Sequence, residues 1–149
     1  MHVRPAAPSD IPPLLTLIRG YWEFEGIEGF AALPLEGVLK QLLAPQAPGA
    51  VFVAGSHGTL AGYLIVVLVM SVEHLGLMGE IDEFFVLPEA RSRGMGAQLL
   101  AAAEAWLVRR GGVRLQLQLG AANARARAFY QRQGYAPRAG YELLDKGLP

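Results

Sequence analysis

The sequence predicts an α/β domain on a mixed sheet, and three observations carry that prediction. Branched and aromatic runs bounded by turn residues recur along the chain, at Ala50–Ala54, Thr59–Met70 and Ile81–Leu87. Leucine- and alanine-rich stretches stand between them with apolar residues at helical spacing, above all Ala97–Leu107. Eighteen Gly and ten Pro fall between these periodic segments as punctuation, with no repeat or low-complexity tract. At 149 residues, one domain spanning 1–149 is expected, able to bury about two-thirds of its unfolded surface.

Each element follows in order. His2–Ala6 reads as an edge strand. A helix begins near Ser9, with Asp10 in its first turn and Leu14, Leu15, Leu17 and Ile18 on its apolar stripe. Gly20–Phe30 is aromatic and acidic, with Tyr21, Trp22, Phe24 and Phe30 set among glutamates. A second helix covers Leu35–Leu43. Ala50–Ala54 and Thr59–Met70 form a hairpin turned at Ser56-His57-Gly58, which leaves His57 solvated at the tip. Ser71–Gly79 is a loop leading to the central strand Ile81–Leu87, closed by Pro88. Val113–Leu119 alternates strictly, as a half-covered strand does. A short helix after Asn123, a bend at Gly134–Pro137 and a last strand near Tyr141–Asp145 complete the chain.

Composition removes several classes of function. No cysteine is present, so disulfides, thiolate nucleophiles and cysteine-based zinc sites are excluded. The longest strongly apolar run, Tyr63–Val72, is about half of what a membrane helix needs. Met1-His2-Val3-Arg4 leads straight into the first strand without a signal peptide or lipidation motif. A cytoplasmic, metal-free protein is expected.

The most informative stretch is Arg91-Ser92-Arg93-Gly94-Met95-Gly96, which joins the central strand to the helix beginning at Ala97. Gly94 and Gly96 lack a Cβ, so backbone N–H groups can approach a phosphate where the helix dipole favours negative charge. Arg91 and Arg93 add mobile positive charge. One strand later comes Asn123-x-x-Ala126-x-x-Phe129-Tyr130-x-x-x-Gly134-Tyr135. A dinucleotide fingerprint does not fit, because Leu99 stands where its third glycine belongs. The C-terminal arginines carry no nucleic-acid motif.

Together these two motifs resemble the GNAT superfamily of acyl-CoA-dependent N-acyltransferases. Val3-Arg4-Pro5-Ala6 and Ser9-Asp10-Ile11-Pro12 resemble its opening strand and first helix cap. Asp82-Glu83-Phe84-Phe85-Val86 and Phe129-Tyr130 are most similar to the spermidine/spermine and thialysine acetyltransferase branch, although Glu-Asp is the commoner order there. The resemblance implies a single mixed, mostly antiparallel sheet flanked by helices and splayed at its central strands. It implies acetyl-CoA as acyl donor, a small-molecule amine as acceptor, and neither nucleic acid nor membrane as partner; homodimerisation is left open. The coenzyme A site it implies comprises Phe84, Phe85, Val86, the turn Arg91, Ser92, Arg93, Gly94, Met95, Gly96 and Ala97, then Asn123, Ala126, Phe129 and Tyr130. The Val86 backbone is the oxyanion donor carried over from the family, Asn123 meets the pantetheine arm, and Tyr130 donates to the departing sulfur.

Charge supports this division. Between Gly20 and Ala90 there is one basic residue, Lys40, against nine acidic ones; from Arg91 onward ten basic residues face Glu104, Glu142 and Asp145. The basic half suits a polyanionic coenzyme and the acidic half a cationic acceptor. Acyl transfer to an amine must remove a proton from nitrogen, stabilise an oxyanion and protonate a thiolate. Strict alternation places Glu80, Asp82, Phe84 and Val86 on one face, and Glu83 and Phe85 on the other unless a bulge intervenes. Asp82, Glu80 or a water chain can serve as base, with Glu83 the more structural of the carboxylates. Tyr130, protonated at neutral pH, suits the thiolate or anchors its helix. Tyr21, Trp22, Glu25, His74 and Glu83 are candidates to meet the acceptor; the aromatic run can instead pack a helix onto the sheet. The alternative to an enzyme is a non-catalytic acyl-CoA-binding module that keeps the cradle without the base.

Overall fold

The computed structural model describes residues 2–56 and 58–149, so His57 lies outside the described residues. The chain forms two compact segments, Met1–Leu117 and Gln118–Pro149. In the first, β1 (His2–Pro5), α1 (Ile11–Glu25), α2 (Ala32–Leu43), β2 (Gly49–Ser56), β3 (Thr59–Ser71), β4 (Gly76–Val86), α3 (Met95–Arg109) and β5 (Arg114–Leu117) follow one another. The sheet order is β1-β2-β3-β4-β5. Every pairing is antiparallel except β4 with β5. The expected mixed, mostly antiparallel sheet is therefore observed.

Helices cover both faces. On one, Leu14, Leu17 and Ile18 of α1 and Leu39 and Leu42 of α2 pack on Val51, Val53, Tyr63, Ile65 and Phe85. On the other, α3 lies so close that a Cβ at Gly62 would meet Leu99 at 3.3 Å, and one at Gly79 would meet Leu107 at 3.0 Å. A side chain at either position would push its neighbours back by a few tenths of an ångström.

α1 runs on into the aromatic and acidic stretch, as far as Glu25. Leu14, Leu17, Ile18, Tyr21 and Trp22 keep the i, i+3, i+4 stripe, and that burial offsets the cost of Gly20 inside the helix. The helix stops at Gly26, in the left-handed region at φ 69°. At its start Asp10 accepts from both terminal nitrogens of Arg4, at 2.7 and 2.9 Å, and from the Ala7 N–H at 2.7 Å. Strand β1 is thereby tied to the helix that follows it.

The loop expected over Ser71–Gly79 shrinks to a tight turn at 72–75, because the β3–β4 ladder continues to Ser71↔Gly76. In the second segment, α4 (Ala124–Arg132) starts at Asn123, whose Oδ1 accepts from the Ala126 N–H at 3.1 Å. Gly134, at φ 92°, ends it, and the Tyr135 N–H returns to the Tyr130 carbonyl at 2.9 Å. The strand expected at Tyr141–Asp145 does not form: those residues carry no regular element, and Tyr141, Leu143 and Leu144 stand exposed. A strand requires backbone partners as well as apolar side chains, and no ladder includes these residues.

Candidate active site

The Arg91–Ala97 turn joins β4 to α3. Ser92 and Gly94 adopt left-handed backbone at φ 65° and 76°, which folds the turn back on itself before α3. Gly94 is the N-cap of α3 and supplies no side-chain cap. A helix leaves its first N–H groups without intrahelical partners, and Gly94 has no side chain to meet them. A Cβ at Gly94 would meet nothing nearer than Gln98 Nε2 at 4.0 Å, so the space above the turn is open. Arg93 is exposed and lines a cleft of about 210 Å³ with His2, Val3, Ala54, Met95 and Gln98. Arg91 is half-buried. Its side chain turns back, and Nε donates to the Val86 carbonyl at 2.9 Å.

The strand leading into this turn parts from its neighbour. β5 pairs with β4 only from Met78↔Arg114 to Ile81↔Leu117, whereas β3 follows β4 to Gly62↔Val86. The Leu87 N–H donates to the Ala61 carbonyl at 2.8 Å, which fixes the phase of the β3–β4 ladder. In that phase Val86 and Gly62 form a non-hydrogen-bonded pair, as do Phe84 and Leu64. The N–H and C=O of Val86 and of Phe84 therefore point away from β3, toward the edge that β5 leaves after Ile81.

The register shifts where the strands part. Ile65 pairs with Glu83 and Val66 with Ile81, so Asp82 is an extra residue in β4. A bulge of this kind bends its strand and sharpens its twist. Strict alternation is overturned as a result. Glu80 lies opposite Val67 and Glu83 opposite Ile65, both of which belong to the layer under α1 and α2. Glu80 and Glu83 thus share a face, with Asp82 between them; Glu83 is not turned away from the other two.

That face is acidic and aromatic. Glu83 accepts from Trp22 Nε1 at 2.8 Å and from the Tyr63 hydroxyl at 2.8 Å. Burial pushes the Glu83 carboxyl up, the two donors hold it down in part, and the Asp82 charge adds to the rise. Asp82 keeps an exposed surface, yet loss of hydration and then the Glu80 charge raise it too. The Tyr63 phenol is raised first by burial and next by Glu83, which keeps it a donor. Tyr21 is raised by burial, then by the charges of Glu25, Glu83 and Asp82. Tyr21 packs on Phe85 with centroids 5.2 Å apart, and Trp22 meets Phe30 edge-on at 5.7 Å. His74 stands in the 72–75 turn, its N–H on Ser71 Oγ at 3.1 Å. From Gly76 to Asp82 the strand rises roughly 20 Å, which sets the 72–75 turn well away from Asp82 along β4.

Tyr63, which holds Glu83, was not among the residues expected at the site. Its only signal was its place in a branched strand, and its pairing with Phe85 emerges from the ladder alone. In the second segment Tyr130 is buried and its ring lies 5.3 Å from Phe129 and 5.8 Å from Tyr135. Asn123 acts as a helix cap. Among the described residues no group of His, Asp and Glu could hold a metal ion, and no helix is long and apolar enough to cross a membrane.

Residues 14–135, which include the bulged strand, the glycine turn and α4, match the Acetyltransferase (GNAT) family. The chain is similar to an uncharacterized N-acetyltransferase, YhfO, of Bacillus subtilis, with 27% identity over 156 residues covering 100% of this chain and 99% of that protein. It is 33% identical over 108 residues to an aminoalkylphosphonate N-acetyltransferase of Salmonella typhimurium, covering 72% of this chain and 64% of that protein. Among solved structures, an integron cassette protein from the mobile metagenome of Cole Harbour Salt Marsh is similar with a TM-score of 0.85 and 27% identity, over 99% of this chain and 91% of that chain. The chain belongs to the GNAT acetyltransferase family and is an N-acetyltransferase.

Proposed function

We propose that the protein moves an acetyl group from acetyl-CoA to the primary amine of a small cationic acceptor, by direct attack within a ternary complex. One observation carries this reading: the bulge in β4 gathers Glu80, Asp82 and Glu83 on one face, in the strand whose end enters the anion turn. The resemblance to the polyamine and thialysine branch supports a cationic acceptor, and the similar aminoalkylphosphonate enzyme supports a small primary amine.

The coenzyme supplies the acetyl thioester. The open, uncapped turn fits its pyrophosphate, with the first N–H groups of α3, Ser92 and Arg93 as the groups that would hold it. Glu83, steadied by Trp22 and Tyr63, draws in the acceptor ammonium; Tyr21 and Glu25 form the wall beside it. Asp82 takes the ammonium proton, directly or through water, and Glu80 on the same face is the second candidate. A raised carboxyl is the better base near neutral pH. As the C–N bond forms, the outward N–H groups of Val86 and Phe84 receive the oxygen on which charge develops. As the C–S bond breaks, Tyr130 would give its proton to sulfur and regain one from the acylated nitrogen, directly or through water, so that thiol and amide both leave neutral. The family resemblance assigns Asn123, Ala126 and Phe129 to the coenzyme side.

The test is a screen for free thiol released from acetyl-CoA, which a chain without cysteine reports with no thiol of its own. Polyamines, aminoglycosides, aminoalkylphosphonates, amino acids and peptides are compared, with Gly94→Asp as the coenzyme-site variant. Coenzyme should raise the wild-type melting temperature and leave that of Gly94→Asp unmoved. Turnover of anionic or neutral acceptors alone would refute the charge argument. Unchanged coenzyme affinity in folded Gly94→Asp would remove the coenzyme site.

A further inference from the structure

We propose that Arg91 is a positioning residue for acetyl transfer: its side chain fixes the end of β4 beside the oxyanion-binding N–H of Val86, instead of gripping coenzyme phosphate. This rests on the acetyl-transfer reading above.

Arg91 opens the glycine turn, where an arginine ordinarily invites a role in phosphate binding. Its geometry points elsewhere. Nε donates to the Val86 carbonyl at 2.9 Å, and the guanidinium carbon lies 5.8 Å from both the Phe24 and the Phe85 ring centroids. Those distances fall within cation–π range. The backbone N–H of Arg91 donates to Pro88 at 3.2 Å, so backbone and side chain together brace the link from β4 to α3. The Val86–Leu87 peptide is pinned at both ends, its C=O by Arg91 and its N–H by the Ala61 carbonyl at 2.8 Å.

The consequence lies at the neighbouring N–H. In extended backbone, the N–H and C=O of one residue point the same way, so those of Val86 stand side by side on the edge away from β3. An oxygen gaining negative charge on that N–H would be repelled by the adjacent carbonyl dipole. Arg91 covers one lone pair of that carbonyl and sets a fixed positive charge beside the developing one. It also removes the freedom of the strand end to turn its donor aside. Both effects act while charge develops and neither requires contact with the coenzyme. They further link the coenzyme turn to Phe24 and Phe85, the aromatic edge of the acceptor face.

Arg91→Gln and Arg91→Lys, compared with Arg93→Gln, test this using calorimetric coenzyme A affinity and steady-state rates on the best amine from the screen. Arg91→Gln should lower kcat by about ten- to a hundredfold while coenzyme A affinity stays within about threefold. Arg91→Lys keeps the charge without the planar donor and should fall between Arg91→Gln and wild type. Arg93→Gln should show the reverse, a fall in coenzyme A affinity larger than its fall in kcat. A merely structural role would lower melting temperature and degrade both quantities together. If Arg91→Gln does not fold, the same split is read from Arg91→Lys. Loss of coenzyme A affinity with kcat intact, or no change in either, overturns the proposal. A wild type that binds coenzyme A but acetylates no amine defeats the acetyl-transfer reading itself, before any variant is made.

Discussion

Asp10 and Glu83 are carboxylates withdrawn from water in the same sheet-and-helix segment, and the chain treats them oppositely. Asp10 receives a two-pronged guanidinium from Arg4 and a backbone N–H, and the Arg4 bonds hold its carboxyl below the usual range. Glu83 receives two neutral donors, Trp22 and Tyr63, and burial leaves its carboxyl above the usual range. A buried charge matched by a cation in the chain serves the fold; one held only by neutral donors burdens it. The burden at Glu83 is increased by Asp82. Carboxyls raised together in this way are candidates for a site where chemistry, rather than packing, sets the residue type. In the proposed reaction the incoming ammonium supplies at Glu83 what Arg4 supplies at Asp10.

The largest effects should fall on turnover and only on the second group. Asp82→Asn should cut kcat/KM for a cationic amine by about a hundredfold near neutral pH, with partial recovery as pH rises and free amine accumulates. Glu83→Gln should weaken the apparent acceptor affinity by about tenfold, and added salt should erode that difference. A pH–rate profile that Asp82→Asn leaves untouched while Glu80→Gln collapses it would move the base to Glu80.

Asp10→Asn should do the converse. It should cost about 1–3 kcal/mol, a fall of several degrees in melting temperature for a chain of this size, with unchanged rate per folded molecule. Loss of activity without loss of stability would break the contrast.

Opposite slopes against pH come next. Asp10 is lower in the folded state than unfolded, so its contribution is present above the unfolded aspartate value, about 3.9, and is lost as pH falls through the folded one. Glu83 is higher when folded. Its contribution is complete below the unfolded glutamate value, about 4.3, and is lost as pH rises through the folded one. Melting curves from pH 3 to 8 should therefore show Glu83→Gln more stable than wild type by a few degrees at neutral pH, with the gap closing near pH 4. The smallest effect belongs to Trp22→Phe. Removing one donor should raise the Glu83 carboxyl further and destabilise by about 1 kcal/mol.

Much of this was legible in the sequence. The β2–β3 hairpin, the α3 stripe and the glycine turn are local patterns, and each formed within a few residues of its expected bounds. The bulge was not legible, because alternation reports a strand's own period and not its partner's register. Trp22 reaches Glu83 from 61 positions away, which no local pattern encodes. Arg91 read as phosphate-facing because its motif neighbours do, and its contacts with a carbonyl and two rings are not encoded in that motif. Tyr141–Asp145 had strand composition and no ladder to join.

Asp82 is supernumerary in its strand. With it removed, Glu80, Ile81, Glu83, Phe84 and Phe85 would already alternate on the faces they now occupy. Loss of a single codon could thus remove the proposed base and relax the bend that coincides with the end of the β4–β5 ladder, while every core side chain kept its place. Evolution would have a one-step path from this enzyme to a folded relative that has lost its base, and gain of one codon in a regular strand would retrace it.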